Sequence, residues 1–265
     1  MMEDKGLSIV LIPDPQIRED SCLDHLKAAG NYIVKTKPDV IVAIGDWSDM
    51  PSLSKHASPI EIEGKRIAKD IEAGKRGMKE FLKPIMTYNN IQRRYRKKAY
   101  TPRMIFTIGN HCSKTRINRL ITEMPILQNF IKDDFETFLT SLGWEVYDFL
   151  EIVDIGGIKF SHYFINPHSA KKSPAGGTID NMIKSVGFSF CQGHTQGLKM
   201  GKHYLADGTA RLGIVAGSFY MEDEEYMGRQ GNRSHWRGIV RLDDVKNGNG
   251  DISEISLNRL LREYG

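Results

Sequence analysis

The chain has few cysteines and no long apolar run. Its 265 residues include three cysteines, Cys22, Cys112 and Cys191, an odd number that are spread far apart. Such a set argues against a disulfide framework. No apolar stretch approaches the length of a membrane span, and the first residues lack a signal-peptide pattern. We therefore expect a protein of the cytoplasm, a reducing compartment, with no membrane partner.

Neither sign of charge is in large excess, but the positive charge is concentrated in one segment. The formal net charge is +4, and residues 60–103 contain thirteen Lys and Arg against five Asp and Glu. This segment is suited to a polyanionic partner such as nucleic acid, and a solvated helix face is the alternative. Hydrophobic residues make up 40% of the chain, which is enough for one domain over residues 1–265.

Short apolar runs rich in β-branched residues predict buried strands. The clearest are 7–12, 39–44 and 103–108, and a helical pattern over 17–36 joins the first two. This order predicts a β-α-β unit with parallel strands. Further strands are predicted at 145–148, 151–155, 159–163, 188–191, 211–218, 235–242 and 252–257. The composition and these runs indicate an α/β fold.

A long charged helical pattern lies between the second and third strands. From Ile67 to Tyr88 its apolar and small positions alternate by four and three residues, which is a heptad seam. The seam either packs on the body of the protein or forms a homodimer through 67–88. The run 92–100 adds five cations and two tyrosines, suited to phosphate contact and base stacking or to a snorkelling helix end. Three phenylalanines farther along are expected in the core: Phe130, Phe135 and Phe138.

Polar side chains that can bind a metal follow nearly every predicted strand. One such coincidence is common, but it recurs at five separate strand ends. The side chains are Asp14, Gln16, Asp46, Asp49, Asn110, His111, His162, His194 and Gln196. Because open α/β sheets bind their ligands at the carboxyl ends of strands, these residues are candidates for one site.

In order and spacing these stretches resemble the calcineurin-like metallophosphoesterase family, which reads D-x-H, G-D-x-x-D, G-N-H-[ED], H and G-H-x-H. The matching stretches are Asp14-Pro15-Gln16, Gly45-Asp46-Trp47-Ser48-Asp49, Gly109-Asn110-His111-Cys112, Ser161-His162-Tyr163 and Gly193-His194-Thr195-Gln196. The resemblance covers about residues 7–220. It implies a four-layer α-β-β-α sandwich of two mixed sheets. Residues 55–102 would then be a basic helical insertion between the second and third motifs.

The resemblance also implies two divalent metal ions bridged by Asp46. One ion would take Asp46, Asn110, His162 and His194. The other would take Asp46, Asp14, Gln16 and Gln196. His111 would stabilise or protonate the leaving oxygen, and Asp49 would orient a neighbour or a water.

Three positions depart from the family pattern. Gln16 and Gln196 replace histidines at the same metal site, and Cys112 stands where an acid is common. A set of oxygen ligands suits manganese or magnesium better than zinc or iron. We expect manganese, with magnesium, iron and zinc as alternatives, and we expect the glutamine site to be weak or vacant.

The predicted function is a metal-dependent phosphoester hydrolase that uses metal-activated water. The basic segment favours a phosphodiesterase or nuclease acting on nucleic acid or nucleotides. A phosphomonoesterase and a catalytically weak binding module of the same fold are the alternatives. Residues predicted to contact the substrate are His168, Lys171, Lys172, Arg93 and Arg94. Two loop histidines, His56 and His235, are further candidates.

Overall fold

Two β-sheets stack face to face in the computed structural model, which describes residues 5–55, 57–223 and 228–265. The strands of the first sheet are β1 (Leu7–Ile12), β2 (Val40–Ala43), β3 (Arg103–Thr107), β4 (Trp144–Tyr147), β10 (Gly238–Lys246) and β11 (Asn249–Ser256). Their order is β11-β10-β1-β2-β3-β4. Strands β1 to β4 run parallel, and β10 is antiparallel to both of its neighbours.

The second sheet is smaller and also mixed. Its strands are β5 (Val153–Ile155), β6 (Ile158–Phe160), β7 (Phe190–Gln192), β8 (Leu198–Tyr204) and β9 (Ala210–Ala216). The order is β5-β6-β7-β9-β8, with β6, β7 and β9 parallel. The strands β5 and β6 are joined by the predicted Gly-Gly hairpin, in which Gly156 and Gly157 both have positive φ.

Helices cover the outer faces of both sheets. They are α1 (Asp24–Thr36), α2 (Pro59–Ile62), α3 (Ile67–Arg94), α4 (Ser113–Glu123), α5 (Phe135–Ser141), α6 (Ile179–Val186), α7 (Gly228–Ser234) and α8 (Leu257–Tyr264). Helices α1, α3, α5 and α8 pack on the first sheet and α6 on the second. The predicted four-layer α-β-β-α sandwich is therefore confirmed. Among the described residues, no helix is both long enough and apolar enough to cross a membrane.

The apolar runs predicted as buried strands contribute to two cores at once. Successive side chains of a strand point to opposite faces. In β1, Ile9 and Leu11 face the second sheet, whereas Val10 and Ile12 face the helices. All four are fully buried, which explains why this strand is continuously apolar rather than alternating.

The first helix is shorter than the predicted 17–36. Residue Ile17 is extended instead, because its N–H donates to the Trp47 carbonyl and its own carbonyl accepts from the Asp49 N–H. Helix α1 begins only at Asp24. The local apolar pattern missed this pairing because it joins residues far apart in the chain.

Helix α3 is the crossover connection between the parallel strands β2 and β3. The predicted insertion 55–102, described here without residue 56, is thus part of the helical layer. Its seam is buried against α1 and the body, including Ile71, Met78 and Phe81. At the α1 contact, a Cβ on Gly30 would lie 2.4 Å from the Phe81 carbonyl oxygen. Much of the seam is therefore filled within the chain, and the homodimer through 67–88 stays a prediction.

Helix α3 runs the length of the sheet. Near its start, the Gly74 carbonyl accepts from Trp47 Nε1 at 3.0 Å, at the carboxyl end of β2. Beyond its end, the Tyr100 hydroxyl donates to the Pro38 carbonyl at 2.6 Å, just before β2 begins. The basic run 92–100 therefore lies at the amino ends of the parallel strands, opposite Asp46 at their carboxyl ends.

The predictions for the core phenylalanines were partly right and partly wrong. Phe135 is buried, but Phe130 is 79% exposed, so its assignment to the core was wrong. It lies beyond the helical turn Pro125–Leu127, where the chain turns away from the sheet. Strand β8 and helix α8 were not predicted.

Helix α1 buries a histidine completely. The ring of His25 packs edge-on against Phe219 with 4.9 Å between ring centroids. Burial lowers the pKa of His25 to about 4, from an ordinary value of 6.5. At neutral pH the native protein therefore holds this side chain uncharged.

We predict that this burial makes the fold acid-sensitive. The unfolded chain gains a proton at His25 near its ordinary pKa and the folded chain only near pH 4. This group therefore lowers the free energy of unfolding by about 3 kcal/mol as the pH falls through that interval. In urea titrations at several pH values, His25→Leu should lose less stability on acidification than the unsubstituted protein. His203→Ala, at a partly exposed site, is the control, and parallel pH curves for His25→Leu and the unsubstituted protein would contradict the prediction.

Candidate metal centre

The predicted site residues lie at one end of the sandwich, where the central strands have their carboxyl ends. Asp14 and Gln16 follow β1, Asp46 and Asp49 follow β2, and Asn110 and His111 follow β3. From the second sheet, His162 follows β6, and His194 and Gln196 follow β7. The site thus lies where both sheets end together.

Four side chains converge there on a common point. Asn110 Oδ1 lies 2.8 Å from His162 Nε2 and 2.9 Å from His194 Nδ1. Asp46 Oδ2 lies 3.3 Å from His162 Nε2. Since metal–ligand bonds to N and O are about 2.0–2.2 Å, adjacent ligands of one ion lie about 3 Å apart. The cluster of Asp46, His162 and His194 could therefore hold a metal ion, and Asn110 offers a fourth donor.

The orientation of His162 is fixed from behind. Its ring is fully buried, and Nδ1 donates to the Ile44 carbonyl at 3.0 Å. A Cβ on Gly45 would lie 2.4 Å from that Nδ1, so only glycine admits the ring at this place. With Nδ1 engaged, Nε2 faces the cluster, which is the usual arrangement for a metal-binding histidine.

In the absence of a metal, a proton on His162 balances negative charge in the centre. Burial lowers the pKa of His162, but Asp46 and Asp14 outweigh it and raise the value to about 9. Burial raises the pKa of Asp46, but His162 and His111 outweigh it and hold the value well below its usual range. At neutral pH an imidazolium thus supplies the positive charge that these carboxylates face.

Asp14 is a buried carboxyl group with an oxygen to spare. Its Oδ2 accepts from the His194 N–H at 2.8 Å, while Oδ1 has no hydrogen-bond partner among the described residues. Burial raises the pKa of Asp14 well above its ordinary value, although His162 opposes this. A buried unpaired carboxylate oxygen is costly unless it is neutral or faces a cation. Asp14 thus places a buried oxygen without a hydrogen-bond partner among the described residues beside the centre.

The backbone at these strand ends is strained. Five of the predicted ligands have left-handed φ values, which non-glycine residues rarely adopt. The residues and angles are Asp14 at 40°, Gln16 at 47°, Asp46 at 43°, His194 at 70° and Gln196 at 51°. One backbone bond, from Gln16 N–H to the Asp46 carbonyl at 2.9 Å, ties two of these turns together. Such strain concentrates at functional sites, and the amino-acid types alone do not reveal it.

His111 belongs to a charged group beside the four donors. Its Nδ1 lies 2.8 Å from Asp49 Oδ1 and 2.8 Å from Arg116 Nη2. Burial raises the pKa of Asp49, but His111 and Arg18, whose Nε lies 2.8 Å from Oδ2, lower it to about 2. An ionised carboxylate accepts and a guanidinium only donates, so Nδ1 can bond with one of them at a time. The ionised Asp49 favours a proton on Nδ1, as the predicted orienting role requires.

Gln16 and Gln196 flank the Asp14 side of the centre. Gln196 Oε1 accepts from the Tyr220 hydroxyl at 2.9 Å, and that hydroxyl lies 2.8 Å from His235 Nδ1. Gln16 is buried with 6% of its surface exposed. The predicted role of both glutamines as ligands stays a prediction, and one lone pair of Gln196 Oε1 is already engaged.

Sequence reasoning missed Arg18, Arg116 and Tyr220. Arg18 follows the motif residue Asp14 by four residues, and Tyr220 follows the predicted strand 211–218 by two, and this proximity was the available signal. Arg116 lies one turn into α4, and nothing in its spacing marks it. Cys112 is buried, its Sγ accepts from the Gly109 N–H, and burial raises the pKa of its thiol to about 12. It therefore remains a neutral packing residue.

The residues predicted to contact substrate are not gathered at the centre. Arg93 and Arg94 lie at the end of α3, at the opposite edge of the sheet. Three others are solvent-exposed in the loop that follows His162, and they stay predictions: His168, Lys171 and Lys172. His56 lies outside the described residues. His235, by contrast, is adjacent to Gln196 through Tyr220.

Comparison with protein-family models and with curated proteins finds no match to this chain.

We predict that a metal must displace a proton here. At pH 7 His162 is protonated, because its pKa is about 9, and Nε2 can bind an ion only after losing that proton. Manganese affinity measured by titration calorimetry should rise about tenfold per pH unit up to that pKa. Calorimetry in buffers of different ionisation enthalpy should show proton release. An affinity independent of pH, with no proton released, would contradict the arrangement.

Proposed function

We propose that this protein is a metal-dependent phosphoester hydrolase. The observation that carries the proposal is the convergence of Asp46, Asn110, His162 and His194 on one point, with donor atoms 2.8–3.3 Å apart. The hydrogen-bonded His111–Asp49 pair beside that point supports a reaction rather than a purely structural metal. The order of these residues along the chain supports it further through the resemblance to calcineurin-like metallophosphoesterases.

The residues present fit divalent cations. Asp46, Asn110, His162 and His194 would hold one ion, and Asp14 with its spare oxygen would face a second, together with Gln16 and Gln196. When bound, such ions supply positive charge for phosphoryl oxygens and lower the pKa of coordinated water. The second set contains oxygen donors and no imidazole, so manganese or magnesium suits it best.

The protein's own contribution to the reaction lies in His111 and its neighbours. Asp49 holds the proton on Nδ1, which leaves Nε2 to exchange a proton with the leaving oxygen of the substrate. Arg116, 6% exposed, adds a fixed positive charge beside the ring. Arg18 balances Asp49 from the other side. A positioned acid of this kind contributes about 10²–10⁴-fold to a rate.

Within this class we favour a phosphodiester of nucleic acid or a nucleotide as the substrate. The support is the unpaired basic surface of the protein, although it lies away from the centre. A phosphomonoester is the alternative substrate. A weakly catalytic binding module is the alternative function, and it is favoured by the two glutamines in place of imidazoles.

An activity panel tests the proposal directly. The metal-free protein is assayed against bis(p-nitrophenyl) phosphate and p-nitrophenyl phosphate with manganese, magnesium, zinc or no metal. We expect manganese-dependent hydrolysis that is faster on the diester. Faster hydrolysis of the monoester would reverse the substrate preference, and metal binding without hydrolysis of either ester would favour the binding module.

We predict that His111→Ala lowers turnover without emptying the centre. Because His111 is not one of the four donors, manganese content measured by plasma emission should be unchanged. The value of kcat should fall by about 10²–10⁴-fold, because the proton donor is lost. His203→Ala, on the second sheet and bonded to Asp180, should leave both values unchanged. Loss of metal together with activity in His111→Ala would instead make His111 part of the metal site.

A further inference from the structure

Six exposed cations gather at the edge of the sheet opposite the metal centre. We call them the basic end patch: Lys37, Arg93, Arg94, Arg96, Lys97 and Lys98. Helix α3 ends at Arg94, and the contacts Lys37–Tyr88 and Tyr100–Pro38 fix the following chain at the start of β2. Pro38 and Asp46 stand beyond opposite ends of strand β2, whose four residues alone span about 13 Å. The patch is therefore a surface distinct from the metal centre.

The patch gathers basic residues that the described part of the chain does not neutralise by ion pairs. Two exposed lysines of α3 pair with acids, Lys69 with Glu19 and Lys83 with Glu80. A third, Lys79, lies over the Phe138 ring instead. In the part of the chain that the structure describes, no patch residue forms an ion pair. Asp39 follows Lys37 by two residues, and its Oδ2 accepts two hydrogen bonds from Ser8.

The negative end of the helix dipole is too weak to neutralise the positive charge of the patch. The end of an α-helix carries about half a negative charge, which Arg93 and Arg94 in the last turn exceed. Three more cations follow the helix, and Arg96 has a left-handed φ of 55° that keeps this turn compact. So much uncompensated positive charge is suited to a polyanion with regularly spaced charges.

Aromatic rings and a cleft accompany the cations. Tyr95 stands among them with 68% of its surface exposed. A cleft of about 410 Å³ adjoins the patch and is lined in part by Lys37, Tyr88, Lys98 and Tyr100. Cations beside exposed rings are the combination that binds single-stranded nucleic acid, where phosphates meet the charges and bases stack on the rings.

A membrane surface fits this patch less well. Basic helices that bind lipid insert an apolar face into the bilayer. The apolar face of α3 is packed against α1 and the body, with Phe81 and Met78 fully buried. This face is therefore unavailable for insertion, and the large apolar side chains that α3 exposes are Met86 and Ile91 alone among its described residues.

We propose that the basic end patch binds single-stranded nucleic acid, through its unpaired cations and Tyr95, at a site separate from the metal centre. This inference goes beyond the proposed hydrolase, because it rests only on charge and ring placement at the far edge. A protein with no hydrolytic activity would still bind there.

Fluorescence anisotropy of labelled oligothymidylate and oligouridylate tests this in EDTA, so that no hydrolysis occurs. The triple variant Arg94→Ala, Lys97→Ala, Lys98→Ala should bind at least ~10-fold more weakly, and the slope of log affinity against log salt should fall by about 2. A matched control removes three ion-paired lysines: Lys69→Ala, Lys83→Ala and Lys184→Ala. It should change affinity less than about twofold, because exposed paired lysines are not free for phosphate.

A second pair of variants separates nucleic acid from other polyanions. Tyr95→Ala should weaken oligonucleotide binding about tenfold or more, whereas Tyr95→Phe keeps the ring and should bind normally. Circular dichroism confirms that each variant is folded. Equal losses in the patch and control variants would overturn the proposal. Binding to phosphatidylserine vesicles but not to either oligonucleotide would also overturn it, in favour of a lipid surface.

Discussion

One buried contact joins the two halves of this molecule: the imidazole of His162 between Asp46 and Asp14. The histidine comes from the second sheet and both carboxylates come from the first, so the contact fastens the sheets at one edge. Its ring is fully buried, Nδ1 is held by the Ile44 carbonyl, and Nε2 faces Asp46. Buried charges persist only when they are paired and hydrogen-bonded. The positions of the other donors follow from this pairing, since Asn110 and His194 both contact the same cluster.

Much of this arrangement was predictable from the chain, because parallel strands all have their carboxyl ends on the same side of a sheet. Parallel strands end at one edge, so Asp14, Asp46 and Asn110 had to come near one another. The position of the basic run, opposite Asp46, is predictable by the same rule. A helix that joins two parallel strands must return the chain to their amino ends, so residues just before β3 lie opposite Asp46.

Other features depend on contacts that no local pattern contains. The extended course of Ile17 comes from pairing with Trp47 and Asp49, which overrides a helical pattern. The left-handed backbone at Asp14, Asp46 and His194 is imposed by tertiary contacts. Phe130 shows the converse error, because hydrophobicity alone did not indicate that its segment leaves the core. Whether the site that contains the glutamines binds a metal stays a prediction. The observation that bears on it is Asp14 Oδ1, which has no hydrogen-bond partner within the described residues.

The sequence separation of the centre's contacts has a consequence for how the protein folds. The His194 N–H bonds an Asp14 oxygen 180 residues away, and His162 bonds Ile44 across 118 residues. Contacts of such range form late, because the entropy of closing long loops must be lost first. The donors therefore converge only after both sheets have formed and docked. An ion that binds these donors therefore stabilises only the docked, native state and does not nucleate folding.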